Sequence, residues 1–290
     1  SELVSNGNFS QIGTEEVSNG NFSQEGSELV TNGDFSNGLT NWSVNGGSYA
    51  TIVDGALNSN NTENGSWFAE NVSQDVSFVT GKTYKIFFKA RNISGDSNLR
   101  ITHQSHIVFS NNLTSSFVDY TIYYTAQANN DSIRIFCNDA VGQFQIDNVS
   151  VKEVGQDWSL QTGWSIGEDK AISDGSINQS IIQNNVFTIG KSYKINFKIS
   201  DVVGSLDTRI WMATGGAKIE ANANGDYTTY WEADGTDLYI TTLSTNTATY
   251  SITNISVKEV GQDWTFGTGW SIGDGIVEAN NTSSFISQSG

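Results

Sequence analysis

Apolar and polar residues alternate along short stretches of this chain. Tyr84, Ile86, Phe88 and Ala90 alternate with Lys85, Phe87 and Lys89, and Tyr193, Ile195, Phe197 and Ile199 alternate with Lys194, Asn196 and Lys198. A period of two places one set on the buried face of a strand and the other in water. Stretches at 120–124, 132–136, 208–212 and 238–242 read the same way, with Gly, Asn and Asp clusters between them, and no window carries the spacing of an amphipathic helix. Many short strands joined by turn residues predict an all-β chain of antiparallel sandwiches. One strand slips phase: Ile146, Val149 and Val151 want a single face, which a period of two forbids, and Ile252, Ile255 and Val257 repeat the slip. A bulge near Asp147-Asn148 resolves it.

The strands recur in tandem. The phrase at 155–167 returns at 261–273 with ten of thirteen positions unchanged, the stretch 146–154 returns at 252–260, and 81–89 returns at 190–198. These markers divide the chain into module one at 27–154, module two at 155–260, and the opening of a third at 261–290. Two or three strands do not build a core alone, so the last segment either belongs to a longer chain or lends its strands to a neighbour. The stretch 1–26 holds two copies of a thirteen-residue repeat, and a third begins module one. Each contains Asn-Gly, at 6–7, 19–20 and 32–33, a strong signal for a tight turn. The first two copies are therefore either a short β-repeat leader stacked on its neighbours or on other chains, or a flexible low-complexity segment. Each copy carries one apolar pair, Val4 with Phe9, Val17 with Phe22 and Val30 with Phe35, in a segment too polar to form a core. Burial of these pairs by other copies of the chain predicts a homo-oligomer; docking on a different protein is the alternative.

Composition narrows the function. With 14 Lys plus Arg against 31 Asp plus Glu, the net charge of −17 opposes nucleic-acid binding. Only 16% of residues are charged, which leaves a polar, largely uncharged exterior of the kind found on extracellular and virion-surface β-proteins. Cys137 is the single cysteine, so no disulfide forms within the chain, and its apolar surroundings predict a buried thiol. No stretch has the ~20 apolar residues of a membrane-spanning helix.

The phrase from Leu29 to Trp42, Gly81-Lys82-Thr83-Tyr84 in the middle and Ile146-Asp147-Asn148-Val149 at the end resemble the carbohydrate-binding jelly-roll modules of families 4 and 9. The tandem copies closing on a Val-Lys-Glu-Val phrase also resemble repeated domains of marine bacteriophage virion and tail-fibre proteins, and because phage fibres commonly associate in threes this resemblance implies that the homo-oligomer is a trimer, with docking on other virion proteins as the alternative. The resemblance implies a jelly-roll sandwich and a structural Ca²⁺ tying the first strand to the last through Asp34 and Asp147. Module two departs from the pattern, with Thr253 in the place of Asp147. A turn cap is the other role open to Asp34.

Trp42, Trp164 and Trp270 are expected in the core, and Trp158 and Trp264 at the junctions between modules. Trp67 and Phe68 in module one, and Trp211, Tyr230 and Trp231 in module two, are the aromatic faces left to stack on a sugar. Tyr230 and Trp231 are adjacent, so only one of them can face solvent. His103 and His106 fall on opposite faces of a strand, and no nucleophile–base set, phosphate loop or zinc spacing is visible, so no enzyme is expected. The function predicted is a structural, adhesive virion component, a fibre or capsid decoration, with weak multivalent binding to a cell-surface glycan. The alternative is an accessory carbohydrate-binding region of a secreted bacterial enzyme or adhesin.

Overall fold

A computed structural model describes residues 4–46, 49–61, 71–95, 98–137, 142–212, 219–280 and 283–288. The chain forms two compact units. One is continuous, from Glu25 to Gly155, and the other joins Ser1–Gln24 to Gln156–Gly290.

In the continuous unit, one sheet runs in the order Val118–Thr125, Thr83–Gly95, Gly142–Val154, Ala56–Asn61, Ala50–Val53, and Glu25–Glu28 pairs on the edge of Gly142–Val154. The second sheet runs Ser43–Asn45, Asn71–Asp75, Ser132–Cys137, Asn98–His103, His106–Asn112. Every pairing is antiparallel. The alternating residues meet between the sheets: Tyr84, Ile86, Phe88 and Ala90 from one face Leu99, Ile101, Ile133 and Ile135 from the other. Cys137 lies in this core, as its sequence context predicted. His103 is fully buried; its Nε2 donates to the Asn130 carbonyl at 2.8 Å, and its Nδ1 hydrogen-bonds with the Tyr124 hydroxyl at 3.0 Å.

The discontinuous unit repeats the plan. Its first sheet runs Trp164–Gly167, Lys170–Ser173, Thr249–Val260, Ser192–Val203, Gly225–Glu232, with Ile12–Glu15 on the edge of Thr249–Val260. Its second runs Ser159–Leu160, Gln179–Gln183, Leu238–Thr242, Thr208–Met212, Ile219–Ala221. Two further pairs complete it, Thr265–Phe266 with Ile286–Ser287 and Trp270–Gly273 with Ile276–Ala279. The chain is thus all-β, a tandem of jelly-roll sandwiches.

The predicted bulge is present, and it has a structural task. The register of Gly142–Val154 shifts between Asp147 and Ser150, and Asn148 and its counterpart Asn254 both take φ of 54°. Before the bulge the strand pairs with Ala56–Asn61, and beyond it with Glu25–Glu28. The bulge therefore switches the strand's edge partner from the earlier Ala50–Asn61 hairpin to Glu25–Glu28, where the third thirteen-residue segment begins. Asparagine suits the position because it tolerates left-handed backbone better than other side-chain-bearing residues.

At the mouth of that pairing, Glu25 receives hydrogen bonds from Lys85 Nζ at 2.6 Å and Lys152 Nζ at 2.8 Å. The bond from Lys152, then the one from Lys85, lowers the Glu25 pKa from 4.5, and the bond to Glu25 raises the Lys152 pKa from 10.5. A lowered carboxylate stabilises the fold above its ordinary value and loses that contribution as pH falls through the folded one. A raised ammonium contributes below its ordinary value and loses that contribution as pH rises through the folded one. All three side chains are about a third exposed, so solvent screening holds the effect to less than about 1 kcal/mol. Glu25→Gln should slightly lower the melting temperature of the continuous unit at pH 7, and the loss should fade as acid protonates the parent carboxylate. A loss that stays the same as pH falls through that protonation would contradict this assignment.

Candidate functional site

Three near-identical slots organise the chain, and the thirteen-residue segments fill them. The third segment packs in the continuous unit, where Phe35 is 1% exposed against Trp42 at 5.3 Å between ring centroids. The second packs in the discontinuous unit, where Phe22 is 1% exposed against Trp158 at 5.2 Å. The first places Phe9 against Trp264 at 5.1 Å. Each indole Nε1 donates to segment backbone: Trp42 to Asn32, Trp158 to Ser18 and Asn19, Trp264 to Asn6. A glutamine grips each segment through both ends of its amide. Gln74 pairs with the Thr31 backbone, Gln183 with Ser18 and Gln288 with Ser5.

These contacts correct the expectation of a separate leader that needs other chains. Val17, Phe22, Val30 and Phe35 find their burial within this chain, so two of the three apolar pairs need no other copy, while Val4 of the first stays 41% exposed. They also regroup the tryptophans: Trp42, Trp158 and Trp264 are the equivalent set. Trp158 and Trp264 therefore hold segments, the role not assigned to them from sequence. Trp164 packs edge-on to Tyr250 at 5.5 Å, in the core as expected.

Among the aromatics predicted to meet a sugar, Trp67 and Phe68 lie outside the described residues. Trp231 does not qualify. It is 6% exposed and packs on Phe187, because alternation along Gly225–Glu232 turns it inward. Its neighbour Tyr230 faces outward, where Lys194 Nζ lies 5.7 Å from its ring and its hydroxyl donates to Asp274 at 3.4 Å. Tyr230 is thereby engaged with the Trp270–Ala279 hairpin rather than free.

Trp211 is placed differently. Leu238, Ile240 and Thr242 on one strand, and Thr208 and Ile210 on the next, are 0–1% exposed and face the core. Tyr239, Thr241, Arg209 and Trp211 therefore take the opposite, outer face. Trp211 is the cross-strand partner of Tyr239, and Tyr239 of Ile182, so three half-buried apolar side chains lie in one row across the sheet. The Trp211 and Tyr239 rings stand 5.1 Å apart at 41°. Beside them runs a polar row of Ser180, Thr241, Arg209 and Glu220. Trp211 Nε1 donates to Thr241 Oγ1 at 2.7 Å, Thr241 and Ser180 share a hydroxyl bond at 2.7 Å, and Arg209 pairs with Glu220 at 3.1 Å. The indole is thus fixed by its own N–H before any ligand arrives. Tyr239 was missed from sequence: Leu238–Thr242 was recognised as a strand, but its phase was not followed to the face opposite Ile240.

The corresponding sheet of the continuous unit carries a mostly polar groove lined by Leu29, Thr31, Asn41, Ser43, Asn45, Ser73, Gln74, Asp75 and Ser132. It has hydrogen-bonding groups and no described aromatic among its lining residues.

The carboxylates assigned to calcium do other work. Asp34 Oδ1 accepts from Ser36 N at 3.2 Å and Ser36 Oγ at 2.9 Å, which lowers its pKa. Asn21 and Asn8 make the same two bonds to Ser23 and Ser10 in the other segments. A neutral amide serves equally, so the position needs an acceptor oxygen and not a charge. Asp147 Oδ1 accepts from the Asn148 N–H at 2.7 Å. No three His, Cys, Asp or Glu side chains gather as an ion site among the described residues. The residues present fit turn caps better than a Ca²⁺ cage of six to eight oxygens. Melting temperatures in calcium and in chelator should agree within error; a rise with calcium that Asp147→Ala removes would restore the ion.

No protein-family model matches this chain, and no curated protein does. The solved structures of similar fold are mainly carbohydrate-binding modules. The N-terminal tandem CBM22-1-CBM22-2 domain of Paenibacillus barcinonensis Xyn10C is 11% identical at a TM-score of 0.38, over 82% of this chain and 99% of that one. A structure titled for CBM4 is 19% identical at 0.34, over 41% of this chain and 99% of that one. The enzymatically active domain of tailspike protein 4 of bacteriophage CBA120 is 18% identical at 0.33, over 43% of this chain and 21% of that one.

Proposed function

We propose that the chain is a non-catalytic array of sandwich modules that holds glycans on the outer face of the sheet Ser159–Leu160, Gln179–Gln183, Leu238–Thr242, Thr208–Met212, Ile219–Ala221. The observation that carries this reading is the Trp211–Tyr239 pair, half-exposed, side by side and flanked by hydroxyl, guanidinium and carboxylate groups. Aromatic faces take the apolar C–H surface of a pyranose, and the neighbouring row supplies donors and acceptors to its hydroxyls. A row of side chains running across strands suits a stretch of polysaccharide better than a free monosaccharide. A single open site gives weak affinity, and repetition along a fibre raises it through effective concentration.

The setting we favour is a structural, adhesive one, a virion fibre or capsid decoration. The tandem repetition and an exterior with few charges support it. The alternative setting is an accessory binding region of a secreted enzyme or adhesin, and both use the same face. Affinity electrophoresis through gels containing xylan, mixed-linkage β-glucan or a bacterial surface polysaccharide tests the reading. The parent chain should be retarded by at least one of these, and Trp211→Ala should weaken that retention about tenfold or more, as loss of a central aromatic does. Retention unchanged by Trp211→Ala would overturn the site.

A further inference from the structure

In the two complete slots a segment has three kinds of partner: the tryptophan, the glutamine and a long strand. Val149 N donates to Gly33 O at 2.8 Å and Leu29 N to Val151 O at 2.9 Å. Ile255 N donates to Gly20 O, and Glu16 N to Val257 O, both at 2.9 Å. The approach is so close that a Cβ on Gly33 would sit 1.9 Å from the Val149 oxygen, and one on Gly20 1.9 Å from the Ile255 oxygen. Under that strand Val30 and Val17 are each 6% exposed.

The first segment has the tryptophan and the glutamine, Trp264 and Gln288, but among the described residues no strand pairs on its third side. A Cβ on Gly7 would meet only the Val4 side chain, and Val4 is 41% exposed. A second edge tells the same story. Lys170–Ser173 pairs on one side with Trp164–Gly167 and on the other with Thr249–Val260. Its counterpart Ile276–Ala279 pairs, among the described residues, with Trp270–Gly273 alone, and Ile276 is 60% exposed. In the complete module one strand, Thr249–Val260, satisfies both edges, with its bulge between them.

We propose that the edges at Val4–Gly7 and Ile276–Ala279 together form a docking site for one extended strand. Its pattern is that of Thr249–Val260 and Gly142–Val154: apolar alternation, an Asn-centred bulge, then Ile or Val followed by Ser-Val-Lys-Glu-Val. The strand adds to the open edges by backbone pairing, and its apolar side chains cover Val4 and Ile276, the arrangement of β-strand addition. The occupant is specified twice over by this chain's own complete slots, in sequence and in register.

The test uses the full chain and a biotinylated synthetic peptide of the sequence 249–260, followed by biolayer interferometry and hydrogen exchange. Binding should saturate, exceed that of a scrambled peptide at least tenfold, and slow exchange at residues 4–9 and 276–279. Gly7→Ala should weaken it at least tenfold, because the new methyl occupies the position of the incoming carbonyl. That variant should keep the parent circular dichroism, since Gly7 has no positive φ and its added Cβ meets only the solvent-exposed Val4 side chain, at 3.3 Å. Equal binding of the scrambled peptide, insensitivity to Gly7→Ala, or protection at residues 17–22 instead would overturn the proposal. Self-association of the chain that Gly7→Ala abolishes, without peptide binding, would also overturn it by putting a second copy on that edge.

Discussion

Phe22→Ala should lower the melting transition of the unit that contains Trp158 and leave the transition of the Glu25–Gly155 unit in place. Phe22 is 1% exposed, stands 5.2 Å from the Trp158 ring, and is more than 130 residues away from it in sequence. Truncating a buried phenylalanine removes its transfer free energy and leaves a cavity, together about 3–5 kcal/mol. For a unit of this size that is roughly 10 °C in melting temperature. The cost falls at a non-covalent closure. Without the ring, the segment keeps the Gln183 amide and the Trp158 N–H but loses the apolar contact that excludes water from them. Phe35→Ala is the mirror experiment and should move only the other transition. Differential scanning calorimetry on the full chain reads both. If Phe22→Ala left both transitions unmoved, the segment 14–24 would not belong to the sandwich built from 156–260.

Gly20→Ala should be comparably severe for a different reason. The position has ordinary backbone geometry, so conformational strain is not the cause. The added methyl would lie 1.9 Å from the Ile255 carbonyl oxygen and 3.0 Å from its carbon, and those atoms are backbone in the middle of a paired strand. Neither side can yield without breaking the Ile255 N–H bond to Gly20 O. The loss should reach or exceed the roughly 1–3 kcal/mol that overpacking costs, in the same transition that Phe22→Ala moves. Gly7→Ala, at the corresponding place in the first segment, should cost little. The contrast between two chemically identical substitutions thirteen residues apart makes the pair informative. A mild Gly20→Ala would mean that the Thr249–Val260 strand does not lie on this segment.

Much of the fold is legible in the sequence. The alternation at Tyr84–Ala90 and Tyr193–Ile199 marks the strands that carry the inner face, and the phase slip at Ile146, Val149 and Val151 locates the bulge. The closure of each sandwich is not legible, for a physical reason. A strand pattern shows which face is buried and not which edge the strand meets, and loop closure grows only slowly more costly with separation. Nothing local therefore forbids a segment from pairing with a strand more than 200 residues later, as Glu15 does when it accepts from the Val257 N–H. One clue was available: Gln156-Asp157-Trp158 follows directly on a completed strand, without the Asn-Gly-Asn-Phe that precedes Trp42 in its Asp form. The missing phrase is present at 19–22. The candidate site was half legible. Trp211 is apparent as an aromatic outside the core pattern, but Tyr239 joins it only through the register between Thr208–Met212 and Leu238–Thr242. Trp231 misled because an isolated Tyr-Trp pair does not reveal its own phase; the Phe187 ring it packs on comes from a loop, and its cross-strand partner Tyr193 from another strand.

The central claim is that a glycan lies across the Trp211–Tyr239 row. A titration of the isotope-labelled full chain with a soluble oligosaccharide cut from whichever polysaccharide retards it, followed by indole and amide resonances, addresses that claim residue by residue. The account predicts saturable millimolar shifts at the Trp211 indole N–H and at the Tyr239, Thr241 and Arg209 amides, with Trp158 and Trp231 unmoved. Saturable shifts confined to any other face, or none in this row at ligand concentrations that retard the chain, would contradict it.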